Sequence, residues 1–88
     1  MVSQLFEEKA KAANELPKKP TQDEMLKLYG LYKQATIGDN TNDSRPGMFS
    51  PKDRYKWDAW EALKGKSQEA AEAEYIAFVN ELIAAYAN

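Results

Sequence analysis

Two short stretches pair aromatic rings with lysines. Tyr29, Tyr32 and Lys33 sit at neighbouring helical positions, and Lys56 stands between Tyr55 and Trp57. An aromatic plane can stack on a purine, while a lysine ammonium holds a phosphate through a charge-assisted hydrogen bond. The same spacing suits a plainer arrangement, with the rings in a core and the lysines solvated. Residue type and spacing leave both open. Met25, Leu26 and Leu28 lie just before the first pair. They serve equally as core or as the wall of a groove for a long apolar ligand.

Other chemistry is narrowed by absence. The 88 residues include no Cys and no His. Disulfides, thiol nucleophiles, histidine bases and the triads built on them are excluded, and zinc loses its usual ligands. No carboxylate pair is singled out by spacing as acid and base. Glu69, Glu72 and Glu74 read most simply as a solvated face. The four glycines are scattered, so no phosphate-cradling loop exists. Asp39-Asn40-Thr41-Asn42-Asp43 opens like a calcium loop, but Ser44 stands at its sixth position and Ser50 at its twelfth, where Gly and Glu are required. Asn42-Asp43-Ser44 is a formal glycosylation acceptor. Lys plus Arg number 12 and Asp plus Glu 14, a net charge of −2. That balance argues against nucleic-acid and anionic-membrane binding as a general activity. Any cationic site must be a local cluster.

The elements that would position the lysines are helical. Phe6, Ala10 and Ala13 step along one face of a helix from about Ser3 to Leu16, capped by Ser3 and stopped by Pro17. Thr21 and Glu24 form a capping box for a second helix from Gln22 to Ile37. On it Met25, Leu28, Tyr29 and Tyr32 share a face, Leu31 and Ala35 widen the apolar surface, and Gly30 is a mild mid-helix cost. A loop from Gly38 to Ser50, rich in Asn, Asp, Gly and Pro, shows no periodicity. The third helix is expected from Pro51 to Leu63, with Ser50 as cap and Gly65 beyond its end. The fourth follows Ser67 and runs to Tyr86, with Tyr75, Val79, Leu82 and Tyr86 in one stripe. No segment alternates with period two, so strands are not expected. The pattern specifies one all-α, four-helix domain over residues 1–88, with the first helix packed on the fourth.

Longer stretches resemble a known family. Tyr29-Gly30-Leu31-Tyr32-Lys33-Gln34-Ala35-Thr36-Ile37-Gly38-Asp39 is similar to the helix-two signature of the acyl-CoA-binding proteins. Arg45-Pro46-Gly47, Lys56-Trp57-Asp58-Ala59-Trp60, Leu63-Lys64-Gly65-Lys66-Ser67, Ala71 and Tyr75 follow in the family's order. Phe6-Glu7-Glu8-Lys9-Ala10 resembles fungal members. The resemblance implies an up-down-down-up four-helix bundle that binds medium- and long-chain fatty acyl-CoA. It gives Tyr29, Lys33 and Lys56 to the ribose 3′-phosphate and Tyr32 to the adenine. It puts Tyr75 on the ligand path near the acyl end, and Met25 and Leu26 in an acyl groove between helices two and three. Asn14 stands where some members carry a basic residue, so it could donate a hydrogen bond there but no charge.

The resemblance also implies a non-enzymatic, monomeric, cytoplasmic carrier and pool former with no cofactor. Its partners would be long-chain acyl-CoA and, transiently, membranes or enzymes that make and use acyl-CoA, with no nucleic acid. The N-terminal residues lack the basic and apolar regions of a signal peptide, and no apolar run reaches the ~18 residues of a membrane span. Two other classes stand beside this one. The groove could seat a partner helix, making the chain an interaction module. A small acyl-CoA isomerase or thioesterase would need a positioned base, and none is visible.

Overall fold

Four helices and no strand are present among residues 2–41, 46–47 and 50–87, which the computed structural model describes. They are α1 (Gln4–Asn14), α2 (Gln22–Thr36), α3 (Pro51–Glu61) and α4 (Gln68–Tyr86). Three begin on side-chain caps: Ser3 accepts from the Phe6 amide, Thr21 and Glu24 close the capping box, and Ser67 accepts from the Ala70 amide. Ser50 holds the cap position of α3 but makes no such bond, and Pro51 opens that helix by its fixed φ alone.

Both α1 and α3 stop short of the expected ends at Leu16 and Leu63. Leu16 precedes Pro17, which disfavours helical backbone at that residue. After α3 the chain tightens into bonds from the amides of Leu63, Lys64 and Lys66 to the carbonyls of Trp60, Glu61 and Leu63. These are i to i+3 bonds, which wind a helix end more tightly than the α repeat.

α2 is the hub, packed on α4 along one side and on α3 along another, while α1 packs on α4. Phe6, Leu31, Ala35, Ala71, Tyr75 and Val79 form the core, with Ala10 and Ala13 against it. The expected pairing of α1 with α4 is present, and the Phe6 ring lies 4.7 Å from that of Tyr75. The face of α2 differs from expectation. Its deepest residues are Leu31, Gln34 and Ala35, whereas Met25 and Tyr32 are 44% and 42% exposed. α4 covers the first set, so the Met25–Tyr32 row is left on an open flank. α3 has no fully buried residue.

Gly30 is a contact requirement rather than a tolerated cost. A Cβ there would stand 2.8 Å from the Ala59 carbonyl oxygen and 3.3 Å from Leu63 Cδ1. α2 and α3 therefore meet backbone to backbone at this point. Gly30→Ala gains about 1 kcal/mol of helix propensity, but forcing the helices apart costs about 1–3 kcal/mol. We expect a lower urea midpoint; a higher one would mean that α3 shifts at no cost.

The turns after α2 and α3 are tied by one carboxylate. Asp39 Oδ1 accepts from Gln34 Nε2 and from the Gly65 amide, each at 2.8 Å, and Gln34 Nε2 also donates to the Lys66 carbonyl at 2.7 Å. Gly65 takes a φ of +94°, which favours glycine. The Gly65 amide, then the Gln34 amide, then the Lys64 charge hold the Asp39 carboxyl below its ordinary value of 3.8. Glu24 is lowered too, chiefly by the Tyr86 hydroxyl that donates to it. A carboxyl lowered in the folded state adds stability above its unfolded value and loses it as pH falls through the folded value. Stability should thus hold from neutral pH to about pH 5 and fall below about pH 4. Asp39→Asn should lower the urea midpoint at pH 7 and flatten the fall below pH 4; an unchanged acid slope would exonerate Asp39.

Candidate functional site

α2 presents Met25, Tyr29, Tyr32 and Lys33 at i, i+4, i+7 and i+8, so they form one row along the open flank. α3 presents Lys56 and Trp60 at i and i+4. The close approach at Gly30 and Ala59 brings the two rows side by side. The result converges on Tyr29. Lys56 Nζ lies 5.5 Å and Lys33 Nζ 5.8 Å from the centre of its ring. Lys33 Nζ is also 5.8 Å from the Trp60 ring. Among the described residues no ion pair engages either ammonium. Two cations from different helices thus flank one ring, and a dianion within reach of both would be held by both charges.

Tyr32 is the exposed plane beside this pair. One face of its ring is stacked on Phe6, with centroids 5.5 Å apart and planes 28° apart. Its edge meets Tyr75 at 6.0 Å. Tyr75 is almost fully buried, and burial first, then Tyr32, pushes its phenol up to about 12. Tyr75 is therefore a neutral phenol whose ring supports Tyr32 from the core side.

A hollow of about 190 Å³ adjoins Tyr29 and Lys56, lined also by Asn40, Pro46, Asp53, Trp57 and Trp60. Of the residues expected from sequence, the structure thus brings Tyr29, Lys33 and Lys56 together, with Tyr32 and Tyr75 in contact beside them. Met25 is exposed on the same row and Leu26 is half-buried. Asn14 stands apart at the end of α1, exposed, with its side-chain amide donating to the Ala10 carbonyl at 3.2 Å. Trp57, which the sequence pairs with Lys56, lines the hollow, whereas Trp60, Asn40 and Asp53 had no site role in the sequence reading. Trp60 had a signal, its helical spacing from Lys56. Asn40 had none, since a loop delivers it. No group of three or more metal-ligating side chains occurs among the described residues. Asn42, Asp43, Ser44 and Arg45, which carry the glycosylation, calcium-loop and part of the family motifs, lie outside them.

Comparison with known proteins agrees along the whole chain. The family profile described as "Acyl CoA binding protein" matches residues 3–79. Acyl-CoA-binding protein 2 of Saccharomyces pastorianus is 72% identical over 88 residues, covering 100% of both chains. The crystal structure of Oryza sativa acyl-CoA-binding protein 2 superposes with a TM-score of 0.91 at 50% identity, over 97% of this chain and 91% of that one. The solution structure of the yeast acyl coenzyme A binding protein gives 0.76 at 70% identity, over 99% and 100%. With the sequence matched along its length and the four helices superposed, this chain belongs to the acyl-CoA-binding protein family.

Proposed function

We propose that this protein binds medium- and long-chain fatty acyl-CoA and carries it without reacting with it. The observation that carries the reading is the convergence of Lys33 and Lys56 on Tyr29, beside the exposed ring of Tyr32. A CoA ester presents a purine next to a 3′-phosphate, the two groups that such a constellation would take. In this reading Tyr32 stacks on the adenine, and Tyr29, Lys33 and Lys56 hold the phosphate. The acyl chain runs along the α2 flank past Met25 and Leu26. The cargo is the thioester itself, with no cofactor. Supporting a carrier over an enzyme, the chain has neither Cys nor His to attack a thioester. Thioester cleavage above background would overturn that half of the reading. We further propose one binding domain acting as a cytoplasmic monomer. No helix among the described residues is long and apolar enough to cross a membrane.

The test is a calorimetric titration with palmitoyl-CoA and with its 3′-dephospho analogue. A charge-assisted hydrogen bond to phosphate contributes ~1.5–3 kcal/mol. Lys33→Ala should therefore weaken palmitoyl-CoA binding by about 10- to 150-fold. It should leave binding of the dephospho ester about as in the unsubstituted chain, and folding nearly unchanged. Equal losses for both ligands would remove Lys33 from the phosphate.

A further inference from the structure

Lys33 and Lys56 are not held alike. Among the described residues the Lys56 ammonium lies over one ring, Tyr29, whereas the Lys33 ammonium lies equally far, 5.8 Å, from two rings, Tyr29 on its own helix and Trp60 on α3. Both distances fall within the ~6 Å over which a ring quadrupole attracts a cation. The Trp60 ring is itself fixed, because its indole N–H donates to the Gly38 carbonyl at 2.8 Å. The Gly38 amide in turn donates to the carbonyls of Lys33 and Gln34 at the end of α2, at 3.3 and 3.1 Å. Gly38 takes a φ of +97° to make this turn, and Asp39 beside it is tied to Gly65 and Gln34. The chain of contacts is closed. The backbone of Lys33 sets Gly38, Gly38 sets Trp60, and Trp60 faces the ammonium of Lys33.

We propose that Trp60 is a positioning residue for Lys33. It restrains the long lysine side chain on the α3 side so that its ammonium is already aimed at the 3′-phosphate before ligand arrives. This deepens the proposed acyl-CoA reading and rests on it. A free lysine loses rotamer entropy when it clasps a phosphate, and an ammonium held between two rings has already lost much of it. The role belongs to Trp60 rather than to its neighbour Trp57, since among the described residues only Trp60 and Tyr29 face the Lys33 ammonium.

The readout is the ratio of affinities for palmitoyl-CoA and 3′-dephospho-palmitoyl-CoA, measured by calorimetry in one buffer. A general loosening of the site weakens both ligands and leaves this ratio alone. Trp60→Leu should lower the ratio by about two- to fivefold, the scale of one exposed cation–π contact. In a Lys33→Ala background the same change should leave the ratio unaltered, because nothing remains to be positioned. Trp60→Phe keeps a ring and is the safer variant for folding; it should retain part of the ratio that Trp60→Leu loses. An equal fall in both backgrounds, or no fall in either, overturns the assignment. A ratio near one in the unsubstituted chain sinks the phosphate reading itself and the Trp60 role with it. A large ratio that Trp60→Leu leaves intact sinks the Trp60 role alone.

Discussion

Palmitoyl-CoA should bind about a thousandfold more tightly than butyryl-CoA, on the transfer free energy of the methylenes between them. Each methylene fully removed from water contributes ~0.8 kcal/mol. The flank offered to the chain is open on one side, with Met25 44% exposed. Burial of the chain is therefore partial, and something under half of the full transfer value is expected. Affinity should climb with chain length and level off once the flank is covered. Free palmitate should bind poorly, because it lacks the nucleotide that Lys33, Lys56 and Tyr32 would anchor. Titrating a series of chain lengths decides the matter. Equal affinities for the butyryl and palmitoyl esters would leave head-group recognition and no acyl groove.

Phe6→Ala should cost about 3–5 kcal/mol of folding stability, the range for truncating a buried aromatic ring. Phe6 is 1% exposed and is the side chain through which α1 reaches both α4, at Tyr75, and α2, at Tyr32. A domain of this size has about 5–15 kcal/mol in all, so the loss is a large share. In thermal unfolding it corresponds to a fall of roughly 12 °C or more. The urea midpoint should drop with its slope unchanged. Phe6→Leu, which refills most of the volume, should recover more than half of the loss. A deficit below about 1 kcal/mol for Phe6→Ala would mean that the site collapses around the deletion and that the ring is not a keystone of the core.

The helices and their caps were legible in the sequence because they rest on local signals. Ser3, Thr21 with Glu24, and Ser67 cap where their types and positions suggest. The pairing of Phe6 with Tyr75 was legible for a similar reason, since two apolar stripes of matching period had only each other to cover. The buried face of α2 was not. Leu31, Gln34 and Ala35 are deep because α4 lies over them, and no property of α2 alone says where a later helix will sit. Gln34 is the sharpest case. A polar residue is fully buried there because Asp39 and the Lys66 carbonyl, both supplied by turns, take its protons. Gly30 misled for the same reason, since its value lies in a carbonyl of another helix. Within the candidate site, the lysine and tyrosine partners stood out by type. Trp60 was legible only through its one-turn spacing from Lys56, and Asn40 was not legible at all, because its place depends on how the α2–α3 loop returns.

α3 contributes Lys56 and Trp60, yet it buries none of its residues fully and packs on α2 alone among the helices. With no fully buried side chain, α3 is expected to open at a lower free energy than α4, whose Ala71, Tyr75, Val79 and Leu82 are sealed in the core. Each such opening would carry Lys56 away from the Tyr29 ring and from the helix that bears Lys33. A ligand that needs both lysines binds only the closed form, so its binding energy is spent in part on suppressing that opening. On the proposed reading, cargo and scaffold would be thermodynamically linked: the loaded protein would be the more rigid one, and release would be coupled to the loosening of one helix rather than to movement of the whole fold.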